Sequence, residues 1–433
     1  MLVPDPRRRR GIRHAVRAVL SVLVAGVACG LEGPAAIAQA AAGWDQDVLA
    51  VHGCRISPST GLRVPPSERT LGRFTQNADA DAVEAALSQV MARAVLDPQV
   101  LRAAAAARGE RQARKQDSAA CRRRRPPAAH ALRVTRDDGW VRAAPGHPFL
   151  DPAVICDSGH VPARQAVAAD GKERKNAKVA GKPKVHMVAA VTHVTGVVLA
   201  QDKVAKRGKA NETSHFKPLL DPLPLDGVAV TADAIQTTRE NARWLHDEKH
   251  AFYLLPVLGN QPGLYDQLDA LDWENTPVAV ATADTGKGRI ETRTVRALPC
   301  PAGTGFTAAA QAVLVERHVT VKKNGQWVMR NCEAVLYITD LTADDASPAD
   351  LLAYARGHWQ VEHLHWLRDL VWHEDKSLIR TGNGPQIMSA LTNLVISLFR
   401  LHGVTEFAAE TRANHQNPRR TLNLLDLTEL SPG

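Results

Sequence analysis

Aromatic side chains make up only 4% of this 433-residue chain, so its interior has to be built mainly from Ala, Val and Leu. Cysteine is sparse too: Cys29, Cys54, Cys121, Cys156, Cys300 and Cys332 are widely scattered and form no CxxC pair. That excludes a zinc finger of regular spacing and argues against a disulfide scaffold, leaving reduced thiols in a cytoplasmic protein as the simpler reading. No HExxH occurs, although His358, His363, His365 and His373 crowd one segment. Histidines packed on a helix or touching phosphate are preferred there to structural zinc. Long hydrophobic runs are missing as well. Residues 18–31 are uncharged and follow Arg7, Arg8, Arg9, Arg10, Arg13 and Arg17 in the manner of an export signal. Gly26 and Gly30 interrupt the run, which is too short for a secure span, so a buried helix with a basic start is expected and no membrane role.

What is present is an aliphatic, basic chain: 45% of residues are hydrophobic and the formal net charge is +9. The length accommodates two or three structural regions. The charge favours a polyanionic partner but also suits an ordinary surface. In residues 65–95, Ser67 can cap a short helix carrying Arg69 and Arg73, and a longer helix follows with Val83, Ala86, Leu87 and Val90 as its apolar stripe. Residues 1–99 are therefore expected to be helical, with contact to DNA as one use and packing on the rest of the protein as the other. Periodicity fails over residues 100–165, where CRRRRPPAAH joins Arg122 to Arg125 with two prolines. A linker or irregular insertion is expected there.

Acidic residues stand in three local settings: Asp170 in VAADGK, Asp233 in VAVTADA and Glu362 in ARGHWQVEHLHWLRD. The first two follow short apolar runs of strand character, and the third lies in an amphipathic helical pattern over residues 351–371. Strands are expected over 185–192 and 194–201, with Asp170 on or just after the strand before them. A helix entered from Asn211 leads to the strand that Asp233 ends. That order of strands and helix fits a ribonuclease-H-like α/β core. Taken singly, an Asp such as Asp233 is more often a helix cap. Two carboxylates brought together repel unless a cation or a proton compensates, which points to a divalent metal and chemistry on phosphate. Glu362 and Asp369 share roughly one helical face, while Trp359 and Trp366 are expected to pack on a neighbouring one.

Further on, Lys287, Arg289 and Arg293 surround Gly286 and Gly288, the composition of a positively charged hairpin or loop. Apolar β-like runs cover 311–319 and 334–338. The stretch IMSALTNLVISLFRLHG has the repeat of a buried support helix, and a tail over 404–433 brings Arg412, Arg419 and Arg420.

DGK at 170–172, NE at 211–212, TADA at 231–234, GNQ at 259–261, GRIETR at 288–293 and RGHWQVEHLHWLRDLVWHED at 356–375, in this order and spacing, resemble the H-repeat-associated family of insertion-sequence DDE transposases. The likeness continues through residues 383–403 and covers most of the chain. It implies an α/β fold with a ribonuclease-H-like catalytic core over 166–403, a helical N-terminal region, and a strand-rich insertion at about 265–345 between the second and third acids. It implies Asp170, Asp233 and Glu362 as catalytic, metal-binding acids holding two Mg²⁺ ions, with Mn²⁺ able to substitute. Cleavage at element ends and strand transfer into target DNA would follow, with double-stranded DNA as partner and a homo-oligomer in the active complex. Lys172, Lys287, Arg289, Arg293 and Arg356 are candidate DNA contacts; each can equally serve in an ion pair.

The chain departs from the family in places. Tyr354, Arg356 and Glu362 only approximate the Tyr, Arg, Glu and Lys signature around the last acid, and Asp369 stands where the lysine would fall. Glu173, Arg174, Lys175 and Asn176 replace the usual continuation to an Arg-Gly pair, and Leu258 replaces a lysine. Two other readings stay open: a catalytically silent, transposase-derived DNA-binding protein, and a general nuclease without preference for element ends.

Overall fold

The computed structural model describes residues 3–7, 12–95, 134–173, 186–204, 212–286 and 288–425. Arg8 to Arg10, Arg122 to Arg125, Arg174 to Asn176, Asn211 and Lys287, all singled out above, lie outside the described residues, as do 426–433. In chain order the helices are α1 Val16–Ala28, α2 Pro34–Ala41, α3 Gln46–Val51, α4 Glu68–Asn77, α5 Ala80–Val95, α6 Phe216–Leu220, α7 Arg239–Arg243, α8 Pro262–Asp269, α9 Pro348–Gly357, α10 Trp359–Leu370, α11 Gly384–Leu401 and α12 Phe407–Gln416. Two-residue ladders are made by β1 Arg55–Ile56 with β2 Arg63–Val64, and by β3 Val134–Thr135 with β4 Val141–Arg142. The longer strands are β5 Ala166–Glu173, β6 His186–Thr192, β7 Val198–Val204, β8 Ala229–Ala232, β9 Phe252–Val257, β10 Val280–Gly286, β11 Arg289–Pro299, β12 Gln311–Lys323 and β13 Gln326–Thr339. The chain divides into two compact units, one drawn from Met1–Ala107, Asp170–Leu223 and Gln360–Gly433, the other from Arg108–Ala169 and Pro224–Trp359.

The first unit is mainly helical. α1 is apolar around most of its circumference and is buried from Val16 to Ala28 apart from a few positions, which is what a helix without a polar face requires. It packs on α11, and α5 covers β7. α11 has Pro385 in its first turn, where a missing N–H costs nothing, and it is buried nearly throughout. No helix among the described residues is long and apolar enough to cross a membrane. β6 and β7 form an antiparallel ladder with an irregularity at Ala190/Val191. The described part of the expected tail is α12 followed by a 3₁₀ stretch, Pro418–Leu425, with Leu424 buried.

A polar network threads this aliphatic interior. Arg368, 1% exposed, makes two 2.6 Å bonds to Glu374 and also donates to Gln201 and Ser389. A buried guanidinium is tolerated because its donors are met by a carboxylate and neutral acceptors.

The second unit is an α/β body on a mixed sheet. β10, β11, β12 and β13 run antiparallel, β13 pairs antiparallel with β9, and β9, β8 and the Ala166–Ala169 half of β5 run parallel. The parallel strands VAVTA and FYLLPV are continuous apolar runs, as strands buried on both faces must be. β12 and β13 are joined by Asn324-Gly325, both at positive φ, the pairing that matches strand twist in a two-residue hairpin. α9 opens on a capping box between Ser347 and Asp350 with Pro348 at its first position. It buries Leu351, Leu352 and Tyr354 against Val280, Val295, Val313 and Val315.

Candidate active site

In the first unit, Asp170 and Lys172 are two residues apart on β5 and so project from one face of the strand. His365 and Asp369, four apart on α10, meet them. His365 Nδ1 stands 3.7 Å from Asp170 Oδ2, and Lys172 Nζ lies 2.5 Å from Asp369 Oδ1. Lys172 also donates to the His365 carbonyl at 3.1 Å and approaches Glu374 at 3.9 Å. Its side chain is 10% exposed, and burial lowers its pKa against the pull of these acids. The ion pair that the sequence left open for this lysine is therefore what the geometry holds. Burial pushes His365 down to about 3, with Arg368 and Lys172 adding to it, so the imidazole beside Asp170 is neutral. Glu362 is exposed one helical turn before His365 on the same face of α10. The tryptophans depart from expectation. Trp359 and Trp366 are 55% and 53% exposed, and Val361, Leu364 and Leu367 pack instead, because three-residue steps put these three on one stripe.

In the second unit, β8 ends at Ala232 and Asp233 follows as an exposed cap, its Oδ1 accepting from Ala234 N at 2.6 Å. The turn beyond it is pinned from the GNQ segment. Asn260 donates to the Ala234 carbonyl at 2.6 Å, Gln261 to the Thr237 carbonyl at 2.9 Å, and Thr237 Oγ1 to Pro256 O at 2.6 Å. Beyond Asp233 the chain forms a 3₁₀ turn, α7 capped by Thr238, and a π turn at Trp244–Glu248. His358 Nδ1 lies 3.2 Å from Thr231 Oγ1, and burial lowers this imidazole to about 4 against the nearby charge of Asp233. Each strand acid thus has a half-buried histidine for a neighbour, with its pKa lowered.

The same unit contains a cationic cleft of about 850 Å³. Arg289, Glu291 and Arg293 alternate along one face of β11, and Arg293 stands directly across the ladder from Arg317. Two arginines opposite each other repel unless an anion intervenes. Glu291, 6% exposed, does so, pairing with Arg289, Arg293 and Arg317. Asp284 takes Arg356 at 3.2 Å and Arg293 at 3.6 Å. Lys322 and Arg330 also line the cleft. Val319 pairs with Asn331 and Thr320 with Met329, which leaves Arg330 as the extra residue of a bulge, a device that re-aims a side chain. Trp359 closes the lining, with Arg317 6.0 Å from its ring. Six basic side chains against two carboxylates leave the described lining positive. Burial lowers Arg293 to about 10, and neighbouring guanidiniums add to the shift.

Of the candidate contacts, Arg289, Arg293 and Arg356 are brought together here, Lys172 belongs to the other unit, and Lys287 lies outside the described residues. Arg317, Lys322, Arg330 and Trp359 were missed. For the first three the Asn324-Gly325 turn was the signal, since it folds β12 and β13 back on each other. Exposed or half-buried carboxylates are the hard oxygen donors that a divalent cation takes, so Asp170, Asp233 and Glu362 fit such an ion in kind. Among the described residues, no group of three or more His, Cys, Asp or Glu is gathered to hold a metal.

A family model described as "Transposase DDE domain" matches residues 148–398, and one described as "DDE_Tnp_1-associated" matches residues 1–91. The candidate transposase YncI of Escherichia coli O157:H7 is 31% identical over 252 residues, which cover 54% of this chain and 62% of that protein. The H repeat-associated candidate transposase YhhI of Escherichia coli K12 is 26% identical over 254 residues, 54% of this chain and 64% of that one. The chain thus matches less than two thirds of the length of these relatives. A solved piggyBac transposase synaptic complex with hairpin DNA is similar at 12% identity and a TM-score of 0.33, covering 62% of this chain and 57% of that one, too loose a likeness to carry an argument.

Proposed function

Because this chain belongs to the DDE-domain transposase family, we propose that it cuts DNA at the ends of an insertion element and joins the freed ends to target DNA, with Asp170, Asp233 and Glu362 as its catalytic acids. The observation that carries this reading is the setting of Asp233, exposed at a strand end on a turn pinned by Asn260 and Gln261. A simple cap would not need that clamp. A ribonuclease-H-like core is supported by the parallel β5, β8 and β9 and by the chain order of three strands, helix, strand, helix, strand.

Asp170, Asp233 and Glu362 would hold two divalent cations, Mg²⁺ with Mn²⁺ able to substitute, and such ions supply activation of an attacking oxygen and stabilisation of a leaving one. The chain's own groups do the rest. His365 and His358, kept neutral, put no positive charge beside the acids to compete with a cation. Arg289, Arg293 and Arg356, joined by Arg317, Lys322 and Arg330, hold the phosphate backbone, and the exposed Trp359 offers a face on which a base can stack. Bringing two element ends together calls for at least two copies of the chain.

Asp170→Asn, Asp233→Asn and Glu362→Gln each remove a charge at nearly constant size, so each is expected to lower Mg²⁺-dependent cleavage of element-end duplexes by at least about 10²-fold while DNA binding persists. Asp369→Asn is the control, since its carboxylate is engaged by Lys172. A folded Glu362→Gln protein that cuts normally, beside an Asp369→Asn protein that does not, moves the third ligand to Asp369. Binding without cutting under varied metals by the unsubstituted chain supports the catalytically silent reading, and cutting without end preference the general nuclease.

A further inference from the structure

The first unit holds a second cavity of about 850 Å³, walled by Arg7, Arg13, His14, Arg55, Arg69 and Arg73 with the turn that enters α4. Its described lining contains five arginines and no carboxylate. Arg69 and Arg73 are four residues apart on α4 and so share one face. They and Arg13 are exposed, and none of the three has an ion-pair partner among the described residues. Arg7 differs, being bonded to Asp5 at 2.8 Å through two nitrogens and to the His14 carbonyl at 2.7 Å.

A second observation points to a ligand. His14 is 6% exposed, lines this cavity, and its Nδ1 is buried without a hydrogen-bond partner among the described residues, as is Arg55 Nε. Burial, with Arg55, Arg7 and Arg13 adding, drives His14 down to about 4. A concave wall with three arginines that have no ion-pair partner among the described residues, and with unmet nitrogens on His14 and Arg55, is the complement of a phosphate oxygen.

We propose that this cavity is a phosphate site that takes the backbone of double-stranded DNA, using residues independent of the catalytic acids and of the cleft in the other unit. The inference rests on the reading of the chain as an enzyme that acts on DNA. Backbone contact carries no base readout, so the site would bind a duplex of any sequence.

The test uses the full chain in EDTA, with a fluorescent duplex of about 30 base pairs lacking any element-end sequence, titrated at several KCl concentrations. The combined variant Arg13→Ala, Arg69→Ala and Arg73→Ala alters only exposed side chains, and an unchanged melting curve shows that it folds. Removing three phosphate-neutralising charges is expected to weaken binding at least about tenfold near 0.1 M salt and to flatten the log–log salt slope by about 2.7. Wild-type affinity and slope in the variant overturn the proposal. So does a variant that loses binding of inorganic phosphate, read by calorimetry, while its duplex affinity stays intact, since the site would then hold a free anion. Cleavage by the unsubstituted protein is measured separately: absence of cutting with a flattened slope in the variant leaves the site standing, whereas cutting with an unchanged slope removes the site alone.

Discussion

Carboxylates in this chain differ by what surrounds them more than by what they are. Glu374 and Asp369 are engaged by Arg368 and Lys172, Glu291 by three arginines, and Asp233 faces solvent. Glu84 is the outlier. It is buried on α5, accepts from Gln201 at 2.8 Å and Gln386 at 3.2 Å, and has no cation beside it among the described residues. Burial raises its pKa to about 8, overriding the two amide donors, with Asp202 and Asp81 adding to the rise. In the folded chain it keeps its proton up to that range, whereas the unfolded chain releases it near 4.5. The folded state therefore binds more protons in between, and its stability is complete below that lower value and declines as pH rises toward 8. Glu84→Gln stays neutral throughout, and the Gln386 amide can turn to present an oxygen. Melting temperatures taken from pH 5 to 8 are expected to fall for the unsubstituted protein and to fall less for the variant, which becomes the more stable at pH 8. Parallel curves would count against a buried, protonated Glu84.

Among the elements, backbone constraints set where segments begin and meet. The helix expected over 351–371 is two helices. It starts earlier, at Pro348, because Ser347 and Asp350 cap it, and it breaks at His358 after the poor helix former Gly357. The loop into α11 docks on the end of α4, where Asn383 N donates to Gln76 O at 3.0 Å and Asn383 Nδ2 to Ala78 O at 2.8 Å. Gly382 precedes it with φ at 56°, and a Cβ there would run into the Gln76 carbonyl oxygen. Left-handed backbone costs a side chain about 1–2 kcal/mol, and forced overpacking about 1–3 more. Gly382→Ala is thus expected to lose about 2–5 kcal/mol in urea unfolding, and a loss under about 1 kcal/mol would show that the loop yields.

For the whole molecule, the net charge of +9 is less informative than its distribution. Each unit carries its own cationic concavity, and the two share no residue. Arg317→Ala with Lys322→Ala and Arg330→Ala in the cleft is expected to flatten the salt slope of duplex binding by about 0.9 for each phosphate these side chains neutralise. Combined with the three N-terminal arginine substitutions, the two reductions in binding free energy should add to within about 0.5 kcal/mol. Anisotropy titrations of both triple variants and the sextuple variant check this. A strongly non-additive result would mean that one phosphate tract satisfies both sets.

Much of this was legible along the chain. Apolar runs marked β5, β8 and α11 and set Asp170 on a strand, Asp233 at a strand end and Glu362 on a helix, because strand ends and helix faces follow from two- and 3.6-residue periods that need no partner to be seen. The partners themselves were not. That Lys172 would answer Asp369, that GNQ would clamp the turn at Asp233, and that a bulge would turn Arg330 beside Arg317 depend on side chains far apart in sequence meeting at hydrogen-bonding distance. By itself the sequence marked several strands and helices and the basic hairpin of β10 and β11. Only the tertiary structure decided which charges are engaged inside and which stay exposed, since ion pairing and desolvation are properties of neighbours in space.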